Sequence, residues 1–176
     1  MIRTATIEDV PAILEIYAPY ILTSTATFEY DVPCRKSFTQ RFLDITEQFP
    51  WLVWEEEGEI LGYTYASKPY ERAAFSWCAE PAVYLRSEAR GRGIGSKLYE
   101  ALENALLRQG YQVLYALITD ENEDSIRFHE KQGYHKCVHF PDCGFKFDRW
   151  LGLVWMEKRL KPVEVPNRLP VPFGNI

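Results

Sequence analysis

Methionine, histidine and cysteine are scarce in this chain: two, three and four among 176 residues. Cys34, Cys78, Cys137 and Cys143 never fall at C-x-x-C spacing, and the histidines do not cluster with them, so no metal is expected. Free, reduced thiols in a cytosol are the simplest account. No apolar run reaches the roughly 18 residues of a membrane span, and no secretory leader is present, so a cytoplasmic protein is expected. Positive charge is also in deficit, 20 Lys and Arg against 25 Asp and Glu. That balance argues against a nucleic-acid or anionic-membrane partner, and any site for an anion must be local. Internal repeats and linkers are missing too, which leaves one domain with a core of ordinary size.

Aromatic residues are plentiful, with five Trp and eleven Tyr. They are expected to fill a core and a dimer interface. Residues 2–6 alternate as a first strand, and Asp9 then reads as the cap of a helix with Pro11 in its first turn, running to about Leu22. Residues 23–33 read as a loop carrying Phe28. Ser37 reads as the cap of a second helix, to about Phe49. Residues 51–55 and 60–66 form a hairpin around Gly58. Residues 74–85 read as a long strand disturbed at Pro81, splaying it from its next neighbour into a wedge for a ligand.

Next comes Arg90-Gly91-Arg92-Gly93-Ile94-Gly95-Ser96. The helix after it places Ile94, Leu98, Ala101, Leu102, Ala105 and Leu106 on one face and stops at Gly110. A strand, a glycine-rich turn and a helix start aim backbone N–H groups at one point, which suits a phosphate or pyrophosphate. The spacing misses both the dinucleotide fingerprint and the P-loop. Residues 112–118 then form a buried strand, and Asp124 or Ser125 caps a helix ending at Gly133. Residues 134–140 and 150–157 pair across a loop at 141–149. Residues 161–176, with four prolines, read as an extended arm.

Arg90, Gly93 and Gly95 match the Arg-x-x-Gly-x-Gly loop of the GNAT N-acetyltransferases, and the element order resembles their fold: a mixed, mostly antiparallel α/β sheet of about seven strands flanked by about four helices, over residues 1–160. The chain further resembles the phosphinothricin N-acetyltransferase family. Matching pieces include Leu22-Thr23-Ser24-Thr25-Ala26-Thr27-Phe28, Trp77-x-x-Glu80-x-x-Val83-Tyr84, Ser125-Ile126-Arg127-Phe128-His129-Glu130 and Gly144-Phe145-Lys146-Phe147-x-x-Trp150. The resemblance implies acetyl-CoA as co-substrate, a homodimer, and acetyl transfer to the amino group of phosphinothricin, methionine sulfone or methionine sulfoximine. It implies that backbone groups along Val83, Tyr84 and Leu85 pair with pantetheine, with Asn122 and Ser125 on the opposite wall. Arg90 through Ser96 would hold the pyrophosphate, with Glu80 and His129 catalytic. This chain departs from those relatives at Asp120-Glu121-Asn122-Glu123-Asp124-Ser125, where they carry Leu-Pro-Asn-x-Pro-Ser, and at Pro81. Both departures bear on substrate choice.

The residues support that chemistry. An amine protonated at neutral pH needs a base, and Glu80 in a partly buried setting is a suitable one. His129 would protonate the leaving thiolate or assist Glu80, against the plainer reading of a structural histidine. A backbone N–H near Leu85 would polarise the carbonyl. Tyr84 either orients substrate or sits in the core. Arg72 suits a carboxylate and Lys146 a second anionic or polar group, with Phe28, Phe75 and Trp77 lining the pocket. For each of these, a surface ion pair or plain packing is the competing reading. Another amine acceptor, or an acyl-CoA-binding module without turnover, are the alternatives to the leading function.

Overall fold

The computed structural model describes all 176 residues. Trp51–Glu56 (β2) and Glu59–Ser67 (β3) form a hairpin whose corner residues, Glu57 and Gly58, have φ of 51° and 83°. Two left-handed residues match the twist of paired strands. The remaining elements are β1 (Ile2–Thr4), α1 (Val10–Thr23), α2 (Arg35–Thr46), β4 (Cys78–Leu85), α3 (Ile94–Gln109), β5 (Val113–Thr119), α4 (Glu123–Lys131), β6 (His135–Lys146) and β7 (Arg149–Arg159). They build one seven-stranded sheet in the order β1-β2-β3-β4-β5-β7-β6, antiparallel except for β4 with β5. The expected mixed sheet and four helices are therefore present.

Each face of the sheet carries its own core. On one face α3 lays Leu98, Tyr99, Leu102 and Leu106 over Leu52, Leu61, Leu114 and Met156. On the other, α1 and α2 cover Trp51, Val53, Tyr63 and Tyr84, and the rings interlock: Trp51 stacks on Tyr65 at 4.3 Å and Tyr17 meets Tyr84 edge-on at 4.9 Å.

Several local expectations are corrected. Asp9 stands at the N-cap position of α1 as expected, but its side chain makes no cap hydrogen bond; its carboxylate takes the Arg3 fork at 2.6 and 2.8 Å and the Thr6 N–H at 2.8 Å, a bidentate charged pair being stronger than a neutral cap. The second helix is capped by extended Cys34 and ends at Thr46, so Ser37 lies inside its first turn. Residues 73–75 form a 3-10 turn, and β4 begins only at Cys78. Asn122, rather than Asp124 or Ser125, caps α4, its side chain accepting the Ser125 N–H at 3.2 Å. The expected loop at 141–149 is mostly strand: a register shift between Phe140 and Gly144 absorbs Pro141 as a bulge, and Phe147 and Asp148, at φ of 52° and 57°, turn the chain into β7. The proline-rich arm folds back on the body. Gln109 Nε2 donates to Gln48 O and Val171 O, both at 2.7 Å, and Trp77 Nε1 donates to Arg168 O at 3.0 Å.

Candidate active site

Proline chemistry opens the sheet. Arg86 N–H donates to Leu61 O at 2.9 Å, so the even-numbered residues of β4 face β3 and the odd-numbered ones face β5. Pro81 sits at an odd position and has no N–H to offer. The parallel ladder to β5 accordingly joins only Cys78 with Val113 and Ala79 with Leu114. Beyond that point the strands part around a cleft of about 1050 Å³. The disturbance expected at Pro81 is the wedge.

Val83 and Leu85 turn their backbone groups into this cleft. At Leu85 both are engaged: the Tyr20 hydroxyl donates to Leu85 O at 2.6 Å and accepts from Leu85 N–H at 3.1 Å. The Arg90 guanidinium lies over the Tyr20 ring, 5.2 Å from its centroid. Tyr84 also lines the cleft, its ring packed in the aromatic cluster, edge-on to Tyr20 at 5.0 Å.

At the mouth of the wedge, Gly93 caps α3 with φ of 77°, a conformation that glycine adopts without strain. None of the N–H groups from Gly91 to Ser96 donates to another backbone group. They sit free at the positive end of a sixteen-residue helix, the arrangement an anion requires. Arg90, Gly91 and Gly95 line the cleft. Arg92 leans outward to Glu56 at 2.7 Å, the Ser96 hydroxyl accepts from Gln132 at 2.9 Å, and the Ile94 side chain is buried in the core. The free N–H groups and Arg90 fit a pyrophosphate.

Two titratable groups line the cleft, Glu80 half-buried and His129 buried. Glu80, on β4, has neither a donor nor a cation as partner, and burial alone pushes its carboxyl up to about 7. His129, on α4, is 5% exposed, and burial lowers it to about 4. Its Nδ1 lies 2.7 Å from the Ser125 carbonyl oxygen, which can only accept, so Nδ1 carries the proton. Nε2 then accepts from the Tyr99 hydroxyl at 2.8 Å, and that hydroxyl also lies 3.3 Å from Pro81 O. His129 is a neutral imidazole with both nitrogens occupied.

The other anticipated residues divide. Phe28 lines the cleft and packs on Gly144, where a Cβ would come within 2.3 Å of its ring. Asn122 and Ser125 line the cleft from the α4 side. Lys146 is buried and outside the lining, its Nζ donating to Ser24 O at 2.9 Å and Thr27 O at 2.8 Å. Arg72 and Phe75 line a separate cavity with Asp44, Tyr70 and Tyr111, and Trp77 is tied to the arm. One chain therefore does not bring Arg72, Phe75 and Trp77 to Glu80. Tyr20, Tyr99 and Arg149 are cleft residues that sequence reasoning passes over. Tyr99 falls within the apolar stripe of α3 and Tyr20 within a ring-rich helix, so neither stands out from core packing.

The comparisons with known proteins agree with this geometry. Residues 2–155 match a family described as an acetyltransferase (GNAT) domain. The chain is 33% identical over 149 residues to a phosphinothricin N-acetyltransferase of Streptomyces viridochromogenes, covering 85% of this chain and 81% of the relative. It is 35% identical over 166 residues to the L-methionine sulfoximine/L-methionine sulfone acetyltransferase of Pseudomonas paraeruginosa, covering 92% and 95%. The crystal structure of a GNAT superfamily phosphinothricin acetyltransferase from Sinorhizobium meliloti in complex with acetyl-CoA superposes with a TM-score of 0.90 at 31% identity, covering 96% of this chain and 94% of that one. This chain belongs to the GNAT acetyltransferase family. It is an acetyl-CoA-dependent N-acetyltransferase, close to the phosphinothricin acetyltransferases, and no helix is long and apolar enough to cross a membrane.

Proposed function

We propose that this enzyme acetylates the α-amino group of a small amino-acid-like acceptor, of the phosphinothricin, methionine sulfone or methionine sulfoximine type, by direct transfer. The observation that carries this reading is Glu80: a half-buried, unpartnered carboxylate where β4 leaves β5, in the same cleft as the glycine-rich helix start. Acetyl-CoA supplies a thioester as acyl donor. The loop from Gly91 to Ser96, with Arg90, holds its pyrophosphate, and the Val83 and Leu85 backbone aligns the pantetheine arm. Pairing at Leu85 displaces the Tyr20 hydroxyl.

Glu80, titrating near 7, takes the proton from the acceptor ammonium at working pH and leaves a neutral nucleophile. A thiol of ordinary pKa, about 8.5, needs little help to leave. His129 keeps the Tyr99 hydroxyl in place on the far wall, which makes it a positioning residue in this reading. A homodimer completes it, supported by β6, which carries Val138, Phe140 and Phe145 exposed beside Trp150.

Thiol release from acetyl-CoA against a panel of free amino acids, polyamines and a short peptide tests the proposal. Turnover with methionine sulfone, methionine sulfoximine or phosphinothricin is the expected result. Turnover confined to polyamines or peptide would overturn the acceptor, and binding of acetyl-CoA without turnover on any amine would overturn the enzyme reading.

A further inference from the structure

Two tyrosines hold the free edge of β4. The parallel ladder to β5 stops at Ala79, so the backbone groups of Pro81, Val83 and Leu85 have no strand partner on that side. The Tyr99 hydroxyl lies 3.3 Å from Pro81 O. The Tyr20 hydroxyl takes both groups of Leu85, donating to its O at 2.6 Å and accepting from its N–H at 3.1 Å. One phenol oxygen therefore gives Leu85 the donor and the acceptor that an amide arm laid along the strand edge would give it.

The rest of Tyr20 is held without that hydroxyl. It lies in the last turn of α1, one residue after Pro19, whose missing N–H removes a helix bond there. The Ser24 hydroxyl donates to Tyr20 O and the Thr23 hydroxyl to Pro19 O, both at 2.8 Å, so the backbone of this turn is tied by its own side chains. The half-buried ring packs edge-on to Tyr84 at 5.0 Å and carries the Arg90 guanidinium over it at 5.2 Å. Neither ring contact uses the hydroxyl.

We propose that Tyr20 is an internal competitor of the pantetheine arm, and that it limits how tightly acetyl-CoA and the product CoA are held. With the arm away, the hydroxyl satisfies a strand edge whose bare N–H and C=O would otherwise be costly to leave unpaired. With the arm paired at Leu85, those two bonds are given up. CoA carries the same arm as acetyl-CoA, so the hydroxyl also weakens retention of the product and favours its release. This assignment rests on the pairing of pantetheine with Leu85 argued above.

Calorimetric dissociation constants for CoA and for 3′-phospho-ADP, which has the same nucleotide and diphosphate without the arm, isolate what the arm contributes. Tyr20→Phe keeps the ring beneath Arg90 and beside Tyr84 and removes only the hydroxyl. It is expected to tighten CoA and acetyl-CoA by about threefold to thirtyfold, the size of one to two net hydrogen bonds, and to leave 3′-phospho-ADP unchanged. Product inhibition by CoA should deepen by the same factor. Unchanged CoA binding in Tyr20→Phe would make Tyr20 the end of the pairing edge and overturns the proposal alone. Weaker CoA binding overturns it too, since the hydroxyl would then be touching the bound arm. An equal change for CoA and 3′-phospho-ADP also overturns it, by placing the effect at Arg90. If the unaltered enzyme binds CoA no more tightly than 3′-phospho-ADP, the pantetheine pairing at Leu85 fails, and this proposal with it.

Discussion

Each wall of the cleft withdraws a titratable group from water, Glu80 partly and His129 almost fully, and they treat it in opposite ways. On the β4 wall Glu80 is enclosed without a partner and rises to about 7; on the α4 wall His129 is enclosed with both nitrogens bonded and falls to about 4. Burial disfavours the charged form in both. It moves the carboxylate into the range where a base is useful and moves the imidazole out of it. In the proposed mechanism, what separates the reacting group from the supporting one is therefore not depth alone. It is whether the polar atoms are left free to meet a ligand.

The sharpest way to break this contrast is at Glu80. Glu80→Gln is expected to lower kcat/KM by about a hundredfold to ten-thousandfold, the usual size of general-base catalysis. The wild-type profile should show an acidic limb near pH 7, where Glu80 ionises, and the variant should lose that limb. A limb that persists in Glu80→Gln would assign the base elsewhere.

Stability sharpens it next. Glu80 binds a proton more tightly folded than at its ordinary 4.5, so its contribution falls as pH rises from 4.5 to about 7. His129 binds a proton less tightly folded than at its ordinary 6.5, so its contribution falls as pH drops from 6.5 to about 4. The slopes oppose each other over nearly the same window. Glu80→Gln should therefore be the more stable protein at pH 8, by on the order of 3 kcal/mol, and should lose stability on acidification more steeply than the parent. Urea unfolding at several pH values reads both effects; parallel curves for the two proteins would refute the burial argument.

The smallest expected effect is at His129. His129→Asn removes the acceptor from the Tyr99 hydroxyl and should cost about 1–3 kcal/mol of stability, with a loss of turnover well below that of Glu80→Gln. Its acidic limb near pH 7 should stay where it is. A limb that moves or vanishes would make His129 a proton carrier instead of a support.

Much of the site was open to reading in the linear chain. The Arg90–Ser96 loop is local: glycines, a helix start and flanking strands are consecutive, so anion binding follows from neighbours in sequence. Pro81 is likewise local, since a missing N–H ends a ladder wherever the other strand lies. Element ends were less legible: the Asp9 side chain is taken by Arg3, six residues before it on β1, and a 3-10 turn delays the start of β4. The bulge that carries Pro141 through β6 depends on the partner β7, which no local pattern announces.

Periodicity, glycine placement and a proline without its N–H thus determined, from sequence alone, the sheet, its opening and the glycine-rich helix start with its free N–H groups. The tertiary structure decided which cation reaches the cleft and which is spent elsewhere. Lys146 meets Ser24 and Thr27 from more than a hundred residues away, Arg72 turns to a second cavity, and Arg149 meets Glu121 at the mouth. Long side chains choose partners by where the backbone carries them, and that information exists only once the chain has closed on itself.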